Sequence, residues 1–362
     1  MRVLQVAKRS LTLFATVSVA LTGCGDSGPD VPFNPSGTSA DIEALNAAFG
    51  SSTFASFSSQ SLLFDAALSG TPLVSSSAVA MDIRASGPAG MRAAAMRSAQ
   101  RLAGLLPSAA NMRFSASTAA ISAAVAGKTY EYSGGTYVPG ARTGAPANGV
   151  RFLLYAVDPV TFVPVAPLVE TGYVDITDLS GTNTRAARVE VVSGSTTYLD
   201  YTVTANSLTG RVTVVGFVTD GTHQANLNLQ ASLSSTGVLT LVYGLDVPQR
   251  DVSIDLTLTA TGLDTPSGTI GIILTMSGPN GTVSLSGEFT STGGSLTVRT
   301  GGKTFATITV TGAADPVITG AGGLPITEED AAALRGIFEL TSEAFASFDK
   351  MRAPATFVLA PA

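Results

Sequence analysis

The chain holds one histidine, one cysteine and no tryptophan, so few side chains are available for acid–base, nucleophilic or metal chemistry. A catalytic imidazole needs an activated nucleophile and an orienting acid around it. His223 lies in Asp220-Gly221-Thr222-His223, a run that predicts a hairpin tip and reads as a solvated turn. No G-x-S-x-G elbow, G-x-x-x-x-G-K-[ST] phosphate loop or H-E-x-x-H pair occurs. A structural zinc site needs several thiolates or imidazoles, and a disulfide within the chain needs two cysteines. Asp175-Ile176-Thr177-Asp178-Leu179-Ser180-Gly181 spaces oxygen ligands closely before a glycine, but a calcium loop wants a bidentate Glu at its twelfth position, where Ala186 stands. This run reads as a turn rich in side-chain-to-backbone hydrogen bonds. These residues point away from an enzyme and name no cofactor or metal.

Composition narrows the class further. Of 362 residues, 45% are hydrophobic and 13% are charged, with mean hydropathy +0.34. Soluble domains carry about a quarter charged residues, so this chain is charge-poor at ordinary apolar content. Disorder requires the opposite balance. Net charge is −6, with scattered arginines and lysine only at Lys8, Lys128, Lys303 and Lys350, which offers nucleic acid no basic patch.

The clearest signal stands at the N-terminus. Residues 1–24 read MRVLQVAKRSLTLFATVSVALTGC: Arg2, Lys8 and Arg9 are positive, Ser10 to Leu21 is mostly apolar, and Leu21-Thr22-Gly23 precedes Cys24. The apolar stretch is too short to span a hydrocarbon core of about 30 Å as a helix, and the order of parts is that of a secretory signal. It resembles the lipobox of bacterial lipoproteins. The resemblance covers residues 1–24 and implies cleavage before Cys24, a thioether diacylglycerol on its sulfur and an amide-linked acyl chain. Gly25, rather than Asp, after the cysteine implies the outer membrane. Each buried CH₂ is worth about 0.8 kcal/mol, so two or three chains anchor a protein stably. Cleavage removes three of the 20 basic residues and none of the 26 acids, leaving net charge −9. The membrane is therefore a partner through its covalent anchor and not through electrostatics. Residues 24–38, GDSGPDVPFNPSGT after the cysteine, are Gly/Pro/Ser-rich and read as a tether.

Periodicity predicts the elements of the body. Residues 39–127 are Ala- and Ser-rich and read as helical. Ser39 is placed to cap a helix carrying Ile42, Leu45 and Phe49, and a second stretch carries Phe54, Phe57 and Phe64. Pro88 opens a third helix with Met91, Ala95, Leu102 and Leu105, ending before Pro107, and residues 115–126 form a fourth. Over residues 128–312 the period changes to two. Val252, Ile254, Leu256, Leu258 and Ala260 alternate with polar residues, as do Ala225, Leu227, Leu229, Ala231 and Leu233, and Val283 and Leu285. Such alternation marks strands with one buried and one wet face. Asp220-Gly221, Asn280-Gly281 and Gly301-Gly302 suit tight hairpins, giving an antiparallel meander of about ten to thirteen strands. Residues 313–352 are a loop and a C-terminal helix, opened by Thr327-Glu328-Glu329-Asp330 and carrying Leu334, Ile337, Phe338, Phe345 and Phe348 on one face; residues 353–362 are a tail.

The expected fold is α+β: a long antiparallel meander, strongly curved or a half-barrel, with N-terminal helices and a C-terminal helix against its concave side. Residues 39–352 form one body. At the level of layers alone it resembles the periplasmic lipoprotein carriers. Phe54, Phe57, Phe64, Met91, Met96, Phe338, Phe345 and Phe348 either line a pocket for a lipid or other hydrophobic ligand or pack the core. The segment around Phe162, bracketed by Asp158-Pro159 and Pro164-Val165-Ala166-Pro167, is either a partner-binding loop or a stiff connection. The function expected is that of a non-enzymatic, lipid-anchored envelope protein that carries a hydrophobic ligand between sheet and helices. The alternative is a structural or adhesive surface lipoprotein acting through protein contacts.

Overall fold

A computed structural model describes residues 33–69, 120–158, 161, 163–262, 268–290, 292–311, 317–337, 351 and 354. Cys24, Met91, Met96, Phe162, Phe338, Phe345, Phe348 and the third expected helix lie outside these residues. Every element below belongs to the unit Val31–Ala362.

Fifteen strands form one sheet: β1 Lys128–Ser133, β2 Thr136–Pro139, β3 Gly149–Tyr155, β4 Glu170–Asp178, β5 Thr184–Ser193, β6 Thr196–Asn206, β7 Arg211–Thr219, β8 Gln224–Leu233, β9 Leu239–Val247, β10 Val252–Thr261, β11 Thr269–Gly278, β12 Gly281–Thr290, β13 Gly293–Thr300, β14 Lys303–Thr311 and β15 Val317–Gly320. From β3 to β15 each strand pairs antiparallel with the next, as short connections require. The sheet is not closed: β2 and β15 are its edges.

Two features depart from the expected meander. The sheet has fifteen strands rather than ten to thirteen, because the short edge strands β2 and β15 carry too few residues for alternation to register. In addition, β1 pairs parallel with β3, Lys128 opposite Val150. The Gly134-Gly135 turn folds β2 back on the far side of β1, and residues 140–148 return the chain past β1 before β3 begins.

Alternation does dictate the faces. Val252, Ile254, Leu256, Leu258 and Ala260 of β10 are all buried, and the intervening Ser253, Asp255, Thr257 and Thr259 face outward. The same division holds along β6, β8, β9 and β11. Gly301 and Gly302 both have positive φ, +54° and +85°, as a two-residue hairpin link demands. Gly216 takes an inward position for a different reason: a Cβ there would lie 2.0 Å from the Asp200 carbonyl oxygen and against Tyr201, its cross-strand neighbour.

Two described helices pack on the inner face. α1, Pro35–Ala47, lies against β9 and β10, and α2, Ser52–Ser69, lies against β2 to β6. The cap of α1 is Asn34, not Ser39. Its side chain accepts a 3.0 Å bond from the Gly37 N–H, and Pro35 follows with its φ already set for a helix. Residues 35–38 are therefore helical rather than tether, and Thr38 is buried. Residues 120–127 form turns, not the end of a fourth helix. The C-terminal helical stretch spans residues 328–337 among the described ones and starts where expected. Thr327 Oγ1 accepts from the Asp330 N–H at 3.1 Å, and the Asp330 carboxylate accepts from the Thr327 N–H and hydroxyl. Leu334 and Ile337 are fully buried, and Gly336 faces Ile42 of α1.

Candidate functional site

The described residues with the densest side-chain organisation lie where α2 meets the first strands. Phe54 and Phe57 are three apart and Phe64 two turns further on, so one helical stripe carries all three. They are 6%, 0% and 0% exposed. The rings run in succession: Phe49 to Phe54 at 5.5 Å between centroids, Phe54 to Phe57 at 6.2 Å, Phe57 to Phe64 at 6.4 Å. Phe64 then stacks on Phe152 of β3 at 4.5 Å and meets Tyr137 of β2 edge-on at 5.2 Å, and Tyr130 of β1 stacks on Phe152 at 4.9 Å. Three of the eight aromatic and methionine residues expected around a hydrophobic ligand are thus brought together, on one helix; the other five lie outside the described residues.

A polar pin runs through this apolar region. Gln60, fully buried on the same helix, donates from Nε2 to the Tyr155 carbonyl at 2.8 Å. The Tyr137 hydroxyl lies 2.5 Å from Gln60 Oε1 and 2.6 Å from the Leu153 carbonyl, so its single proton faces two acceptors. Burial, helped by neighbouring Tyr155 and Tyr132, pushes the Tyr137 phenol well above its ordinary range and keeps it neutral. Tyr201 of β6 is also fully buried and donates to the Met351 carbonyl.

Tyr243, midway along β9, is 4% exposed on the inner face, and burial raises its phenol. Its cross-strand neighbours are Leu229 and Leu256, and α1 packs on its strand. Of the charged groups among the described residues, Asp41 and Arg185 are buried.

The outward face carries ion pairs. Arg151 makes a two-pronged contact with Asp175, 2.7 Å on each prong, and its guanidinium stacks 3.7 Å above the Tyr173 ring. Arg188 does the same with Asp200 at 2.8 and 2.7 Å and reaches Glu190 at 3.2 Å. Asp175, Glu190 and Asp200 stand opposite one another on β4, β5 and β6, so three carboxylates in a row are offset by two guanidiniums. Asp178 accepts from the Ser180 and Ile121 N–H groups. The carboxylates of the run 175–181 are therefore occupied by arginine and backbone. Among the described residues no group of three or more His, Cys, Asp or Glu is arranged to hold a metal ion.

His223 is more enclosed than a free turn residue, with 19% of its side chain accessible. Arg250 Nη2, which can only donate, lies 3.0 Å from His223 Nε2, so the ring proton is on Nδ1, 3.2 Å from Asp220 Oδ2. Burial pushes the Asp220 carboxyl up, but bonds from the His223 and Thr222 N–H groups and the imidazole outweigh it and hold it below its ordinary value. The imidazole clips the β7–β8 turn to the β9–β10 turn. The Arg250 contact has no signature in the sequence, because the two residues are 27 positions apart.

The β3–β4 connection is the most apolar exposed segment described. Val163, Val165, Leu168 and Val169 are 52%, 45%, 43% and 57% exposed. The loop is nonetheless built: Asp158 N–H bonds the Val163 carbonyl, Val165 N–H the Ala156 carbonyl and Ala156 N–H the Val169 carbonyl, at 2.8 to 3.0 Å, and Val157 bridges Pro164. The Asp158 carboxylate accepts from the Thr161 N–H and hydroxyl.

No helix among the described residues is long and apolar enough to cross a membrane, which says nothing of strands. No protein-family model, curated protein or solved structure matches the chain.

Proposed function

We propose that this chain is a lipid-anchored bacterial cell-envelope protein, held at the outer membrane through Cys24, which carries a hydrophobic ligand between its sheet and its helices without catalysing a reaction. The observation that carries the reading is the stripe Phe54, Phe57 and Phe64, which α2 lays along the inner face against Phe152 and Tyr137. A ligand with a long apolar body would suit such a face, while an ionised head group would be costly there. In this reading the sheet curves around the helices as a half-barrel. Register shifts at Leu154/Tyr155, Val191/Val192 and Val298/Arg299, together with the inward Gly216, are features of the kind that bend sheets. The anchor rests on residues 1–24, whose charge, apolar run, small residues and cysteine fall in lipobox order.

Two measurements test it. Metabolic labelling with a palmitate analogue gives a labelled protein, and Cys24→Ala removes the label and releases the chain from the membrane fraction. Native mass spectrometry with lipid extraction, on a chain beginning after Cys24, gives a stoichiometric apolar adduct. A clean apo mass after envelope lipids are offered would make Phe54, Phe57 and Phe64 plain core.

A second reading, a surface lipoprotein acting through protein contacts, has its own observation. Thr204, Thr213, Gln230, Val242, Thr257, Ile273, Ser286, Thr297, Thr307 and Thr319 stand in successive register across the outer face from β6 to β15. That row has no charge, and Val242 and Ile273 are 39% and 60% exposed in it.

A further inference from the structure

We propose that the β3–β4 loop is a second membrane contact, which lays Val163, Val165, Leu168 and Val169 into the lipid surface that the Cys24 anchor occupies. The inference rests on the lipid-anchor reading and adds an orientation to it.

Three observations carry it. First, the four side chains are large, aliphatic, close in sequence and each more than two-fifths exposed, on a loop whose backbone hydrogen bonds hold it in shape. Scattered single apolar residues on a surface need no explanation, but a group of four on one built loop does. Second, the loop lies at the end of the sheet where α1 begins. Strands alternate in direction from β3 onward, so the connections after β3, β5, β7, β9, β11 and β13 share one end. The start of α1 is fastened to that end. Asn280, in the β11–β12 turn, donates to the Gly37 carbonyl at 3.3 Å and to Asp41 at 2.9 Å, and the Phe33 ring packs at a tilt against Phe305 near the start of β14, 4.7 Å between centroids. Third, the chain available between anchor and body is short. With the helix beginning at Pro35, ten residues separate Cys24 from it, spanning at most about 35 Å fully extended.

The chemistry selects a lipid surface over an acidic or basic partner. The only charge within residues 158–169 is Asp158, whose carboxylate is turned onto Thr161, and the charges flanking the loop neutralise each other where Arg142 bonds Glu170 at 2.5 Å. A body of net charge −9 gains nothing from anionic head groups, so a contact with the bilayer has to come from apolar groups. Four aliphatic side chains are too few to bind alone, but a covalent anchor makes their insertion intramolecular.

The test uses the mature lipidated protein reconstituted in phosphatidylethanolamine/phosphatidylglycerol vesicles. Cys24 is the chain's only cysteine and its sulfur is consumed by the lipid, so Val165→Cys offers a single thiol for an environment-sensitive fluorophore. Leu208→Cys, 74% exposed in the β6–β7 turn at the other end of the sheet, is the control. The expected result is a blue-shifted label at 165, quenched by nitroxide-bearing lipids, with the label at 208 unquenched. Adding Val163→Ser, Leu168→Ser and Val169→Ser then reduces quenching at 165 by about tenfold or more. Equal quenching at both positions, or none at 165, overturns the inference while the protein still floats with the vesicles. A protein that does not float with vesicles overturns the anchor reading itself.

Discussion

At the scale of single residues, Gln60, Tyr137 and Tyr201 of the described inner face each find a buried partner: the Tyr155 carbonyl, Gln60 with the Leu153 carbonyl, and the Met351 carbonyl. Asp41 is the instructive carboxylate. It is 4% exposed on α1, and burial raises its carboxyl above the ordinary 3.8 by more than the bond from Asn280 lowers it. The folded state therefore holds the proton more tightly than the unfolded chain, so Asp41's cost to stability is present at neutral pH. That cost is relieved as pH falls through the raised value and is gone below the ordinary one. Asp41→Asn keeps an acceptor for Asn280 and is expected to equal or exceed the wild type in stability at pH 7. The gap should close as pH drops toward 3.8, read as the difference between urea midpoints of the two proteins. A gap that widened on acidification would mean that the carboxylate is stabilising.

At the scale of elements, α2 is fastened to the sheet by rings and by one amide. Gln60→Ala would leave the buried Tyr155 carbonyl without its partner, and the expected loss is about 1–3 kcal/mol. Phe64→Ala would remove the ring that joins the helix to both Phe152 and Tyr137, with an expected loss of about 3–5 kcal/mol. Chemical denaturation checks both; losses under about 0.5 kcal/mol would mean that α2 contributes little to the folded body. The apolar stripe of α2 is legible in the sequence through Phe54, Phe57 and Phe64. The role of Gln60 is not, since a glutamine among serines carries no mark of burial until β3 supplies the carbonyl it meets. The cap of α1 shows the same limit at short range: Ser39 and Asn34 are both good caps, and Pro35 after Asn34 decided between them.

At the scale of the whole molecule, an open sheet of fifteen strands has the same backbone pairing in its middle and two free edges. Hydrogen exchange should follow that order. Amides of Ile318 and Thr319 on β15 should exchange first, and those of Leu256, Leu258 and Ile272 on β10 and β11 last, when the mass shift of the corresponding peptides is followed in time. Slow exchange at β15 equal to that at β10 would mean that its edge is covered.

The kind of layer is legible in the residues alone: period-two alternation assigns the faces of β8, β10 and β12, and Asp220-Gly221, Asn280-Gly281 and Gly301-Gly302 mark hairpin turns, because these are properties of neighbouring residues. That β1 runs parallel to β3 and that Arg250 closes on His223 follows from the fold as a whole. So does the position of the Val163–Val169 loop at the end of the sheet where α1 begins. Each of those depends on which distant segments meet, and no local pattern encodes a partner tens or hundreds of residues away.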